Sequence, residues 1–333
     1  MLISRAPLRV SLFGGGSDFP EYFKNNIGCV VGGTINKYVY VNFLKLAEES
    51  KEKYRLTYRI TESVLSPKEF KHPAYREILK YYDWKLPLNV ATMSDLPGNT
   101  GLGSSSSFCV ATINGLNFLI NQKSNALENA MKAIEIEREI LNERGGWQDQ
   151  LHSSVGNFRS YTFSGSDVKI SEPLLSDAQL RFLSESCFLL YIGNERHSQD
   201  LQKENLNFSS DKVLENNLEK LAQQALRISK MNLIDFSNDE LLETLSWELT
   251  ESWNIKQQVL KETKEGEIYQ LMEFGKKIGT LASKLCGAGK GGYILFLCNP
   301  NEKSRIISEF IKHNKIVRPI QFISEGASIL SYS

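Results

Sequence analysis

The chain has 333 residues, enough for a large buried core and for two domains rather than one. Its 39 basic residues balance 39 acidic ones, which argues against nucleic acid or an anionic membrane surface as the main partner. No segment nears the roughly 20 apolar residues of a membrane span, no secretory pattern opens the sequence, and five scattered cysteines without a CxxC pair and four scattered histidines signal neither a disulfide framework nor zinc; a reduced, cytoplasmic protein is the expectation.

β-Branched and aromatic runs between turn signals predict strands over 8–13, 29–31, 38–43 and 54–60, then a helix over 67–82 and a strand from 88 to 93. Helices are predicted over 104–120 and 125–144, followed by two short strands near 158–163 and 168–170. The polar stretch 171–179 is the expected boundary, which divides the chain into 1–175 and 176–333. Beyond it come a strand over 187–192, helical patterns over 198–230, 239–260 and 266–284, and a strand over 293–298. A helix over 301–313 and strands near 317–323 and 327–330 complete the pattern. Both halves are α+β.

The most informative stretch is Pro97 to Ser107, between the strand at 88 and the helix at 104. A strand, a Gly-rich turn and a helix that opens on serines make a seat for phosphate. Glycine lets backbone N–H groups converge on an anion, and the helix start adds unpaired donors and a positive dipole end. Serine hydroxyls can cap that helix or bind a phosphate oxygen or a divalent metal. The alternative, a flexible Gly/Ser linker, does not suit a place between two apolar periodic segments.

On the helix predicted over 125–144, Glu137 falls near the centre of the apolar face, while Glu135 and Glu139 point away from it. A carboxylate so placed needs a cation: either a lysine or arginine reaching in, or a metal such as Mg²⁺ shared with a hydroxyl. In Gly145-Gly146-Trp147-Gln148-Asp149-Gln150, Asp149 opens a helix and reads either as a cap or as the base that a phosphate-accepting hydroxyl requires. His152 and Ser153 suggest a Ser-His-Asp hydrolase, but neighbours on one helical turn cannot build that geometry and no GxSxG elbow is present.

Near the start, Arg5 and Arg9 lie on a strand that runs into Gly14-Gly15-Gly16-Ser17-Asp18. The arginines could simply form a solvated face. The glycines permit close approach, and Asp18 can accept from sugar hydroxyls. A dinucleotide fingerprint fails twice: Gly14-x-Gly16 lacks its third glycine, and Gly287-x-Gly289-x-x-Gly292 leads into a strand rather than a helix. No GxxxxGK[ST] phosphate loop occurs.

Three clusters in order, Arg5 to Asp18, Pro97 to Ser107 and Lys284 to Tyr293, resemble the three motifs of the GHMP kinases, and the resemblance runs nearly end to end. It implies an N-terminal ATP-binding domain with a left-handed β-α-β crossover and a C-terminal ferredoxin-like domain, with ATP and substrate between them. Phe13 to Asp18 and Gly146 to Gln150 are most similar to the heptose 7-phosphate kinases of the GDP-heptose pathway. In galactokinase-like members a glutamate and a histidine stand at the positions of Gly15 and Gly16. Glycine there leaves room and spares a phosphorylated sugar a repelling carboxylate, although a turn that favours glycine would look the same.

The resemblance implies transfer of the ATP γ-phosphoryl group to a sugar's anomeric hydroxyl, with Asp149 accepting or orienting the proton and Arg9 stabilising that carboxylate. Glu137 and a serine, by the motif Ser105, would hold Mg²⁺; Gly98, Gly101, Gly103, Ser104, Ser105 and Ser106 would cradle the triphosphate. Asp18, Gly15, Gly16 and Gly289 would face the acceptor, and Arg196 and Lys290 are candidates for its distal phosphate. Ser106 and Ser107 replace the small apolar pair usual after two serines, and Lys290 stands where glycine is common. A kinase acting on an unphosphorylated sugar such as fucose, and a non-catalytic ligand-binding relative, are the other readings.

Overall fold

The computed structural model describes residues 1–46, 49–193, 212–260, 266–287 and 291–332. Strand β1 (Leu2–Phe13) and the 18-residue β2 (Gly28–Lys45) form an antiparallel pair, with helix α1 (Pro20–Phe23) in the turn between them. The sequence reads two short strands at 29–31 and 38–43; the structure runs them together because β2 changes partners along its length. Its first half pairs with β6 and its second half with β5.

Strands β3 (Tyr54–Thr57) and β4 (Thr61–Val64) form a hairpin, and α2 (Pro73–Tyr81) carries the chain to β5 (Leu88–Ser94), which lies parallel to β3. This unit supplies a β-α-β crossover. Helices α3 (Ser104–Leu119), α4 (Ala126–Ile134) and α5 (Gln148–Val155) follow, then the hairpin β6 (Phe158–Ser164) and β7 (Asp167–Ile170). Helix α3 is buried on nearly all sides, as its continuous apolar sequence requires, and packs on β1 and β2.

In the second half, α6 (Asp177–Ser186) leads into β8 (Cys187–Gly193), and helices α7 (Lys212–Ser229), α8 (Asn238–Leu260) and α9 (Glu267–Lys277) follow. Next come β9 (Ala282–Leu285), β10 (Gly292–Leu297), α10 (Lys303–Lys312) and β11 (Ile316–Pro319). The four strands are antiparallel in the order β11-β8-β10-β9, with helices joining β8 to β9 and β10 to β11 along the chain, the ferredoxin-like arrangement. The helix expected to continue to residue 284 stops early: Gly279 adopts φ +107, and the alternating segment after it pairs with β10.

The last strand, β12 (Ser328–Tyr332), leaves this sheet and pairs with β1, so the end of the 176–333 segment lies on the first sheet. Helix α7 also packs on β2, and one apolar core joins Val10, Val31 and Val41 with Leu189 and Leu295. The two halves thus share an interior that fixes the third glycine motif against the first two. Among the described residues no helix is long and apolar enough to cross a membrane.

Candidate active site

The loop 97–103 joins β5 to α3 and is pinned from both sides. The Arg9 amide on β1 donates to the Leu102 carbonyl at 3.1 Å, on an edge that β12 leaves free because it pairs only with residues 2–5. On the other side a Cβ at Gly101 would sit 2.6 Å from the Cys286 carbonyl oxygen, so only glycine lets this loop lie on the third motif. Gly103, left-handed at φ +79, turns the chain into α3. A Cβ there would lie 3.4 Å from both the Arg9 side chain and the Asp149 carboxyl group, so the helix start faces that pair directly.

Arg9 is not on a solvated strand face. Its guanidinium, 5% exposed, meets Asp149 Oδ1 at 2.6 Å through one NH2 group and at 2.8 Å through Nε, and Nη1 donates to the Gly101 carbonyl at 2.6 Å. Asp149, in the first turn of α5 and 25% exposed, keeps an open side toward the loop. Arg9 therefore does two jobs at once. It holds Asp149 in one orientation and ties the phosphate loop to β1.

Glu137 is buried, on a helix that departs from expectation. The α-helical turn ends at Ile134, and residues Glu135–Ile140 form a π-helix, with Leu141 N–H donating to Ile136 and Glu143 N–H to Glu137. Such widened turns recur at functional sites because they redirect a side chain. Glu137 Oε2 accepts from Ser106 Oγ at 2.9 Å and from Gln150 Nε2. Among the described residues no lysine or arginine pairs with it, and its charged neighbours are Glu143 and Asp149. Burial, with these acids adding to it, pushes its pKa up to about 7.

Two protein-family signatures match the chain in order: GHMP kinases N terminal domain over residues 69–157 and GHMP kinases C terminal over residues 240–316. The chain belongs to the GHMP kinase family. It is 27% identical, over 97% of both chains, to the D-glycero-alpha-D-manno-heptose 7-phosphate kinase of Campylobacter jejuni. It is 26% identical to the bifunctional fucokinase/GDP-fucose pyrophosphorylase of Arabidopsis thaliana over 68% of this chain, but spans only 21% of that protein. Its fold matches the crystal structure of a D-glycero-D-manno-heptose 1-phosphate kinase from Bacteriodes thetaiotaomicron with a TM-score of 0.79, at 22% identity and full coverage of both chains. GHMP kinases are phosphotransferases, and the sugar kinases among them use ATP as a substrate.

In this GHMP kinase the three motifs meet. Besides the contacts of Gly101 and Gly103, the Trp147 amide donates to the Asp18 carbonyl and the Gln148 amide to Asp18 Oδ2, at 3.0 and 3.2 Å. Asp18 is fully buried and also accepts from Gly16 N–H at 2.9 Å, so its carboxylate closes the first glycine turn onto α5. Burial raises its pKa, and the charge of Asp149 adds to the effect. The adjoining glycines differ. Gly16 has φ +107 and backs onto Leu218 of α7, so local geometry demands glycine. Gly15 has no such φ; a Cβ there would meet only Ser11 Oγ at 3.3 Å and Gln148 Nε2 at 3.6 Å. The turn's backbone therefore does not account for glycine at position 15.

The serine run splits by helical phase. Ser106 and Ser107 turn inward, Ser106 to Glu137 and Ser107 to the Pro7 carbonyl and Ser153, while Ser105 is exposed and Ser104 partly buried. The serine that contacts Glu137 is thus Ser106, while Ser105, expected to help hold Mg²⁺, is exposed one helical step of 100° away. His152 is buried with neither ring nitrogen bonded among the described residues, and burial followed by the charge of Arg9 drives its pKa down to about 3. It stays neutral and takes no part in a hydrolase triad. Gly289, Lys290 and Arg196 lie outside the described residues.

The motifs did not single out Ser11, Gln148, Gln150, Lys256 or Lys284. Ser11 Oγ and Gln148 Oε1 are buried without partners among the described residues, both beside Gly15. Gln148 and Gln150 stand in the Gly146–Gln150 run, Ser11 within the first motif and Lys284 at the start of the third, which were the available signals; Lys256 carried none.

Proposed function

We propose that this kinase transfers the γ-phosphoryl group of ATP to the anomeric hydroxyl of D-glycero-D-manno-heptose 7-phosphate, giving the 1,7-bisphosphate, a step of GDP-heptose formation. The observation that carries the reading is the Arg9–Asp149 pair set against Gly103, a fixed carboxylate at the mouth of a phosphate loop. The full-length likeness to a heptose 7-phosphate kinase and the space at Gly15 support the choice of acceptor.

In this mechanism Asp149 accepts the proton of the acceptor hydroxyl as the oxygen attacks. Arg9 keeps the carboxylate aimed, and its own charge offsets that developing on the phosphoryl group. Backbone N–H groups of 98–106 and the start of α3 hold the triphosphate, with Ser104 and Ser105 free to add hydroxyl donors. Ser11, Gln148 and the Gly15 backbone would meet sugar hydroxyls. Asp18 shapes that pocket through Gly16 and Gln148.

A hard divalent cation suits the acidic side of the site. Glu137 is a buried carboxylate with hydroxyl and amide neighbours and no cationic partner among the described residues, an oxygen-rich donor set apt for Mg²⁺. Glu137 and a serine, Ser105 or Ser106, would hold it, and when bound it would neutralise charge between the β- and γ-phosphates. Residues 1–175 and 176–333, with β12 returned to the first sheet, would act as the two lobes around the substrates. Use of ATP puts the reaction in the cytoplasm in this reading, which suits five free, buried cysteines.

The test is ADP release with a panel of sugars and sugar phosphates. Turnover of heptose 7-phosphate well above heptose, fucose and galactose is expected; preference for a phosphate-free sugar would replace this acceptor by a fucose-like one, the alternative that the fucokinase likeness favours.

A further inference from the structure

The second half of the chain brings two ammonium groups to the site that the mechanism above leaves unused. Lys284, on β9, is buried and donates to the Leu12 carbonyl, where β1 ends and the Gly14–Gly16 turn begins. Lys256, on α8 and partly buried, donates to the Gly287 carbonyl at 2.6 Å, and Gly287 in turn lies against Gly101. Each ammonium has three donors, and these carbonyls take one apiece. Among the described residues neither lysine has a carboxylate at ion-pair distance, whereas Arg9 is already committed to Asp149.

Lys284 feels the charges of both Lys256 and Arg9, and Lys256 feels that of Arg9. Burial, and then the charge of Lys256, hold Lys284 well below its ordinary pKa. Lys256 is brought down to about 8, mainly by burial; among the charges around it Arg9 pushes the same way and Asp18 opposes. An enclosed ammonium without a counter-ion is costly, and two side by side cost more, so the arrangement makes sense for a site that receives a dianion.

We propose that Lys256 binds the phosphate that the acceptor sugar already carries, and that Lys284 is a positioning residue whose charge deepens that seat. The inference rests on the reading of the substrate as a phosphosugar. Two features favour the acceptor over the nucleotide as the source of the phosphate. The triphosphate has its own donors in the 98–106 backbone and the start of α3. Lys284 is anchored at the entrance to the Gly14–Gly16 turn, on the acceptor side, and Lys256, held at Gly287, is near enough for its charge to act on Lys284.

The experiment compares kcat/KM for heptose 7-phosphate and for the same heptose without phosphate, in the wild type, Lys256→Met, Lys256→Arg and Lys284→Met, using the full chain. Lys256→Met is expected to collapse the preference for the phosphorylated acceptor by about 100-fold, through KM, with KM for ATP moving less than about twofold. Lys256→Arg should restore most of the preference. An equal loss with both acceptors, or a rise in KM for ATP, would overturn the assignment. Lys284→Met should weaken the phosphorylated acceptor about tenfold yet melt no lower than the wild type without ligand, since it removes an uncompensated charge; a lower melting temperature would make Lys284 structural and overturn its role. A wild type that prefers the phosphate-free sugar refutes the substrate itself, whereas a wild type that prefers the phosphosugar and a Lys256→Met that keeps the preference refute this inference alone.

Discussion

The two halves of the chain furnish the site in opposite ways. The three carboxylates that the first half sets closest to the reaction arrive already engaged: Asp149 by Arg9, Glu137 by Ser106 and Gln150, Asp18 by Gly16 and Gln148. The second half brings Lys256 and Lys284, whose hydrogen-bond partners among the described residues are carbonyls. Preorganised groups stabilise a transition state without reorganising, so a reaction centre benefits from being built in advance. Uncompensated charge instead gains most when ligand arrives, so it suits recognition. One wall is therefore made for the chemical step, the other for selecting what enters.

That division can be broken most forcefully at Asp149. Asp149→Asn keeps the shape and most hydrogen bonds but removes the base, and should lower kcat by about three orders of magnitude with KM for ATP little changed. Steady-state ADP release measures both; a kcat within tenfold of wild type would show that the Arg9–Asp149 pair is architecture only. Glu137→Gln should raise the Mg²⁺ concentration for half-maximal activity by about 10–100-fold. Without metal it should melt no lower than wild type, because the amide need not bury a charge. An unchanged Mg²⁺ titration would mean that Glu137 serves packing rather than metal binding.

A third test asks whether the first wall depends on close backbone approach. A Cβ at Gly146 would lie 1.7 Å from Asp18 Oδ2, whereas one at Gly145 would meet nothing within 4 Å. Gly146→Ala should destabilise by about 2 kcal/mol and raise the acceptor KM, and Gly145→Ala should do neither. Equal melting temperatures for the two variants would show that Asp18 can move aside freely, so that this part of the wall is not fixed in advance.

How much of this was legible beforehand depends on distance along the chain. The phosphate loop and the Gly146–Gln150 run declared themselves because their chemistry is local: glycines and serines at a strand–helix junction, an aspartate at a helix start. From its local sequence alone Arg9 could not be told from a solvated arginine, since its partner is 140 residues away; only the family resemblance paired the two. The π-turn that aims Glu137 depends on how α3 and α4 pack, which an ideal 3.6-residue period cannot encode. The long β2 read as two strands because Gly32 and Gly33 interrupt its pattern, although exchange of neighbours keeps it extended. Lys256 was invisible, and Lys284 stood in its motif without a role, for a plainer reason. A charge without a partner leaves no spacing to find.

The smallest expected effect tests how dry the first wall is. His152 sits beneath it, edge-on to Tyr161 at 4.6 Å and unbonded at both nitrogens. Its folded pKa of about 3 lies below the ordinary 6.5, so the unfolded chain takes up the proton first. The neutral ring therefore contributes stability that is fully present above pH 6.5 and is lost as pH falls toward 3. His152→Leu should abolish that dependence: the gap in unfolding free energy between variant and wild type should shift in the variant's favour by about 1.4 kcal/mol per pH unit below 6.5. Urea unfolding at pH 7.5, 6.0 and 5.0 measures the shift. Parallel pH profiles would mean that water reaches the ring, and a wetted interior beside Arg9 would undercut the claim that the chemical wall is assembled before substrate binds.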